Sequence, residues 1–277
     1  MIKRKRHRRK SRFKKRCAAA AAAIAVLTGA AGGYEYYTTG SMERTRSALS
    51  EISGYLQAVP EQAGRLEMAA RRQINRWLNG DDGNTTLDPI PEYRGSSYVE
   101  LYGNVPSFTE EEQNSPPYEY YSELDWLGRC GYAEAKITRE LMPEEERGQI
   151  GMVKPTGWHL VKYEGIDGNY LYNRCHLIGY QLTGENANEK NLITGTRYLN
   201  VTGMLPWENL VADYIRETGD AVLYRVTPVY EGDNLLASGV EMEAQSVGSD
   251  TVSFHIFVFN VQPGIVIDYA TGDSRKE

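Results

Sequence analysis

The chain has 277 residues, 41% hydrophobic and 25% charged, enough for one sizeable domain with accessory segments. Twenty Tyr and 27 Gly suit a mixed fold with many strands and turns and argue against a helical bundle. The formal charge of −6 conceals an asymmetry: residues 1–16 hold 11 of the 31 Lys and Arg and no acid, leaving 20 positive and 37 negative side chains, a net of −17, in the remainder. Such a body is repelled by nucleic acid at long range, so composition alone argues against that partner unless basic groups cluster locally.

In chain order, the basic run MIKRKRHRRKSRFKKR leads straight into an uncharged stretch from Cys17 to Ala31, the layout of a secretory signal or signal anchor with its basic end held in the cytoplasm. The apolar stretch is shorter than the about 20 residues of a permanent span, and small residues near Ala30 to Gly33 suit cleavage. Both outcomes, a cleaved signal peptide and a membrane anchor, place the body outside the cytoplasm. Residues 1–40 are assigned to this segment. From Met42 to Leu78, Leu49, Ile52, Leu56 and Val59 recur at helical steps, as do Ala63, Leu66, Ala70, Ile74 and Trp77. Pro60 divides them, so residues 41–80 read as a helical stalk or accessory helical pair, with helices packed onto the main domain as the alternative. Residues 81–95 are a linker by their Gly, Asp, Asn and Pro content.

The main domain is expected over 96–277. Tyr98 to Tyr102 alternates like a strand, and Gly157 to Tyr163 and Asn169 to Asn173 read as strands around a Gly165–Gly168 turn. Pro206 to Glu217 is amphipathic. Ala221 to Tyr230 and Val252 to Asn260, rich in β-branched and aromatic residues, are expected as central strands. The order is α+β, without the regular alternation of a doubly wound sheet.

Of the four histidines, His7 lies in the basic tail, and His159 and His255 sit inside apolar strand patterns where a hydrogen-bonded structural role is expected. His176 differs: it ends a strand pattern beside Arg174, and Asn191, Arg197, Asn200 and Glu208 follow. Taken alone, this constellation supports either a metal-assisted site or a strand-end His before an Asn-rich loop. No CxxC or HExxH pattern offers a zinc site. Cys130 and Cys175, in an oxidising compartment, suggest one disulfide, with two separate buried thiols as the alternative.

The string NRCHLIGYQLTG resembles the DRGH-type motif of the DNA/RNA nonspecific endonuclease family, in the branch of secreted streptococcal nucleases and DNA-entry nucleases. The similarity continues through EKNLITGTRYLN, YRVTPVY and NVQPGIVIDYATG, and upstream takes in YVELYGNVPSF, LDWLGRCGYA and MPEEERGQIGMVKPTGW. It covers roughly residues 95–273. The resemblance implies a ββα-metal core with a central mixed or antiparallel sheet flanked by helices, behind the amino-terminal signal or anchor helix and stalk. It implies Mg²⁺, with Mn²⁺ as a substitute, and hydrolysis of phosphodiester bonds in DNA, with RNA as a further substrate. By the same resemblance His176 is the general base, Asn200 the direct metal ligand, Asn191 a supporting Asn at the metal, and Glu208 a holder of metal-bound water. Arg174 matches the motif's Arg, for phosphate contact or site support, and Lys190 and Arg197, with Arg216, are candidates for the local basic patch. Asn173 and Cys175 depart from the motif's Asp and Gly, which leaves the orientation of the His open. A non-cleaving, membrane-anchored nucleic-acid-binding protein for DNA uptake or adhesion is the alternative.

Overall fold

The computed structural model describes residues 90–277; the amino-terminal basic and apolar segment, the stalk and most of the linker lie outside the described residues. Its centre is a six-stranded antiparallel sheet built from β1 (Tyr98–Glu100), β2 (Tyr118–Tyr121), β3 (Ala133–Ile137), β6 (Val222–Val229), β7 (Gly239–Ser246) and β8 (Ser253–Phe259), in the order β1-β8-β7-β6-β3-β2. The expected strands at 221–230 and 252–260 are interior strands of this sheet. β7 reads as polar in sequence, and the structure places it between them.

The period-two alternation of the strands builds two unlike faces. One is apolar: Ala133, Ala135 and Ile137, Val222, Tyr224 and Val226, Val240, Met242 and Ala244, and Phe254, Ile256 and Val258 form one buried cluster with Val211, Ala212 and Ile215 of helix α3 (Leu205–Thr218). The intervening residues face the other way and are also buried, yet many are charged: Glu134, Lys136, Arg225, Glu241, Glu243 and His255. Each has partners, as burial of charge requires. Arg225 pairs with Glu112, Glu134 and Glu243. Lys136 Nζ donates to the carbonyls of Gln113 and Ser115. His255 Nε2 lies 2.5 Å from Glu241 and Nδ1 3.0 Å from the Val105 carbonyl, which bears out a structural role for this histidine.

Residues 105–115, which meet this charged face through Val105, Glu112, Gln113 and Ser115, end in a short helix, α1 (Glu110–Asn114), closed by a capping box between Thr109 and Glu112. Glu112 therefore has two duties: one carboxylate oxygen caps the helix at 2.6 Å from the Thr109 N–H and the other meets Arg225.

On the apolar side sits the unit that carries the candidate site. β4 (Tyr172–His176) and β5 (Leu192–Thr196) pair antiparallel, with Cys175 opposite Ile193 and His176 opposite Leu192. The connection between them holds a short helix, α2 (Tyr180–Thr183), and a 3₁₀ turn at Glu189–Asn191. After β5 the chain enters a π-helical stretch, Leu199–Met204, that continues into α3. Two strands and a crossing helix in sequence give the expected ββα arrangement. The strand expected over Gly157 to Tyr163 is instead irregular, tied to its neighbour by one bridge between Lys162 and Tyr170. β9 (Ile265–Ile267) and β10 (Ser274–Lys276) form a small separate hairpin.

Candidate active site

His176 ends β4 and is 6% exposed, walled in by the loop that follows. Its Nε2 lies 2.7 Å from the Asn186 carbonyl, an acceptor only, so Nε2 carries the proton and Nδ1 the lone pair. Facing Nδ1 at 3.3 Å is a guanidinium nitrogen of Arg147, which only donates. Burial, the largest influence, pushes the His176 pKa down to about 4 against the raising effect of the Asn186 carbonyl, and the Arg147 charge adds a smaller lowering. The ring is thus neutral at physiological pH and fixed in one tautomer.

Arg147 carried no assigned role in the sequence reading. It follows three glutamates in an exposed loop, and no local pattern marks it. Two contacts deliver it to the histidine. The Tyr180 hydroxyl donates to the Glu145 carbonyl at 3.0 Å, and Gly148 packs so closely on Asn186 that a Cβ there would lie 2.7 Å from the amide nitrogen.

Arg174 has its guanidinium engaged within the chain. Its Nε donates to the Val153 carbonyl, Nη2 donates to Gly151 O at 2.9 Å, and the guanidinium lies 4.0 Å from the centre of the Trp158 ring. It therefore holds the 151–153 segment in place beside β4.

Asn191 is the residue expected to support the site near the metal. It is fully buried, and its amide accepts from Ile178 N–H at 2.9 Å and donates to Ile178 O at 3.0 Å. Both ends of the side chain are committed to clamping the chain just after His176.

The two cysteines are free thiols, correcting the expected bridge. The Cys130 thiol points at the carbonyls of Glu189 and Leu192, each at 3.2 Å, while Cys175 Sγ lies over Gly195, where a Cβ would come within 2.4 Å of it. Cys175 thus fills room that Gly195 leaves on the adjacent strand. Burial raises both thiol pKa values, which makes them poor nucleophiles. Asn173, the other departure from the DRGH pattern, has a buried side-chain nitrogen with no hydrogen-bond partner.

Asn200 and Glu208 lie on the continuous helical run, Asn200 in the π-helical stretch where the Leu205 N–H reaches back five residues to the Asn200 carbonyl. The Asn200 side chain is half-buried and makes no hydrogen bond among the described residues. Glu208, half-buried, likewise has neither ion pair nor hydrogen bond among them, and its carboxyl group leans on Gly179, where a Cβ would lie 2.9 Å away. Burial, only partly offset by Arg147, pushes its pKa up to about 7. An unpartnered amide oxygen and an unpartnered carboxylate suit a hard dication. Among the described residues no three His, Cys, Asp or Glu side chains gather to make a closed metal cage, so the remaining ligands of such an ion would come from water and phosphate.

The expected basic patch is largely neutralised. Lys190 pairs with Glu123 at 2.6 Å, Arg197 with Asp167 at 2.7 Å and Arg216 with Asp213 at 3.0 Å. These are exposed pairs of small energetic weight, and an incoming phosphate can compete for the cations. His159 is exposed and bonds the Thr271 carbonyl, away from the strand-like setting expected for it.

Against known proteins, the fold agrees with NucA from Streptococcus agalactiae, solved with a magnesium ion bound, at a TM-score of 0.62 and 25% identity, covering 69% of this chain and 94% of that one. The Sda1 nuclease with bound zinc matches at a TM-score of 0.50 and 28% identity, covering 58% of this chain and 81% of that one. A profile of the DNA/RNA non-specific endonuclease family matches residues 109–248, which take in the core strands β2, β3, β6 and β7 and the entire ββα unit. This chain belongs to the DNA/RNA non-specific endonuclease family and is a nucleic-acid hydrolase.

Proposed function

We propose that the chain is a Mg²⁺-dependent endonuclease, indifferent to sequence, that cuts DNA, with RNA as a further substrate, and that His176 is its general base. The observation that carries this reading is the hydrogen bond between His176 Nε2 and the Asn186 carbonyl: it leaves Nδ1 as the one basic nitrogen, at the mouth of a loop bearing a cation. Hydrolysis of a phosphodiester requires a water deprotonated in line with the scissile bond and neutralisation of the phosphoryl and departing oxygens. On this reading Nδ1 takes the water proton. Arg147, which now covers Nδ1, turns to a phosphoryl oxygen when substrate arrives and so uncovers the base. That exchange removes a positive charge from the imidazole and sets a negative one beside it, both of which raise its basicity above the free-enzyme value of about 4.

Asn200 would hold the Mg²⁺ through its amide oxygen, and Glu208 would hold a water bound to it. When bound, the ion supplies Lewis-acid stabilisation of the phosphoryl charge. Mn²⁺ fits the same oxygen donors. The NucA neighbour, solved with magnesium, supports this choice.

The same reading places residues 1–40 as export signal or membrane anchor, 41–80 as a stalk, 81–95 as a linker and 96–277 as the nuclease domain, working outside the cytoplasm. Its support is the basic-then-apolar pattern of the amino terminus.

Isothermal titration with Mg²⁺, together with plasmid cleavage, tests the metal assignment. Asn200→Ala should abolish Mg²⁺-dependent cleavage and weaken Mg²⁺ binding. Glu208→Ala should reduce activity by about 10–100-fold, the usual consequence of losing an outer-sphere group. A harmless Asn200→Ala, or a Glu208→Ala that does more damage, would overturn the order of the two ligands.

A further inference from the structure

Against Leu192 and Ile193 of β5 lies a cavity of about 280 Å³ that the hydrolytic chemistry does not use. Its walls are nonetheless wired to the machinery. Met152, Val153 and Lys154 line one side, and Arg174, two residues before His176, holds that segment through the carbonyls of Gly151 and Val153. Ala187 lines another side and directly follows Asn186, whose carbonyl fixes the His176 ring.

Leu124 and Gly128 also line the cavity, and the turn between them presents Trp126 at 80% exposure. An indole so exposed is unusual, and the turn that carries it is tied down. Asp125 accepts from the N–H groups of Leu127 and Arg129, each at 2.9 Å, and from Arg129 Nε at 2.7 Å. Arg129 in turn donates to the Gly232 and Asn234 carbonyls and lies 4.5 Å from the centre of the Tyr230 ring, itself part of the cavity wall. The Trp126 ring has no aromatic or cationic contact among the described residues. Met152, on the facing segment, is 70% exposed. Lys154 is exposed and forms no ion pair among the described residues, unlike Lys190, Arg197 and Arg216.

We propose that this cavity and Trp126 form a subsite for one unstacked nucleobase of the strand being cut. Trp126 supplies a stacking face and Lys154 meets a neighbouring phosphate. The occupant follows from the ties of the cavity walls to Arg174 and Asn186, from the unpaired cation at the rim and from an exposed aromatic face on a fixed turn, the features by which single strands are held. A paired, stacked base cannot enter, so the enzyme favours single-stranded or locally melted nucleic acid over intact duplex. The inference rests on the nuclease reading with His176 at its centre.

The test compares a single-stranded deoxyoligonucleotide with one of the same backbone whose central residues are abasic. Wild-type protein should show a higher kcat/KM on the base-bearing strand, by about 5- to 100-fold, the range for one base–aromatic stack. Trp126→Ala should collapse that ratio toward one, and Trp126→Phe should retain most of it. The exposed position makes misfolding of either variant a minor concern. A second arm measures fluorescence anisotropy of the same two strands with the His176→Ala protein, with and without Trp126→Ala. Preference for the base-bearing strand that depends on Trp126 supports the subsite even if the wild-type protein cuts no strand, in which case the nuclease reading alone fails. The same ratio with and without the indole, in both arms, overturns the proposal.

Discussion

His176 and Arg147 share a contact that sets the protonation state of the site. The guanidinium donates toward Nδ1, and together with burial it holds the imidazole neutral down to about pH 4. The folded-state pKa is therefore below the unfolded value of about 6.5. The unfolded chain binds more protons between these values, so His176 contributes stability that is fully present above pH 6.5 and is lost as the pH falls toward 4. Arg147→Ala removes the secondary cause and leaves burial. We expect the His176 pKa to rise from about 4 part of the way to 6.5, and the acid limb of the pH–rate profile to move to higher pH with it. NMR titration of the His176 ring checks this; an unchanged pKa would mean that Arg147 does not face Nδ1 in solution. The glutamates before Arg147 hid it in the sequence, since its importance comes from a loop fold set by Gly148 and Tyr180.

At the scale of elements, the β4–β5 connection shows what a sequence pattern can and cannot convey. His176 at a strand end and the amphipathic α3 are legible because a strand, a turn-rich loop and a 3.6-residue periodicity leave local marks, whereas the place of Asn200 on a crossing helix rests on the family resemblance. The clamp made by Asn191 is not legible. Its partner is Ile178, thirteen residues upstream, and only the folded loop brings its amide to that backbone. The disulfide expectation failed for a similar reason: compartment and count suggest a bridge, whereas Cys130 and Cys175 turn toward different backbone partners. Asn191→Ala should leave the Ile178 N–H and C=O buried without partners, at a cost of about 1–3 kcal/mol for each group. Urea denaturation measures the loss. If Asn191→Ala kept full stability and instead lost Mg²⁺ affinity, the residue would return to the metal site.

The described residues are organised around a sheet with one apolar and one charged face, both buried. The interior position of β7 escaped the sequence reading because Glu241 and Glu243 look like solvent-facing residues. They are inside because Arg225 and His255, on the neighbouring strands, face them from either side. Such a layer is strongly destabilised when one partner is removed, since the opposite charges stay buried. Arg225→Met retains bulk but leaves Glu112, Glu134 and Glu243 without their shared cation, and should cost about 3–5 kcal/mol in denaturant unfolding. A stability within error of wild type would mean that this face is hydrated rather than packed.

The catalytic claim concerns the same scale, because a body with a net charge of −17 beyond its first 16 residues must act on a polyanion through one local site. Supercoiled plasmid incubated with purified protein, with Mg²⁺ or with EDTA, and in parallel with His176→Ala, tests it most directly. The account predicts nicking and then fragmentation with Mg²⁺, none with EDTA, and a loss of at least about 10²-fold in the folded His176→Ala variant. Wild-type rates from that variant, with its circular dichroism and melting temperature unchanged, would contradict it.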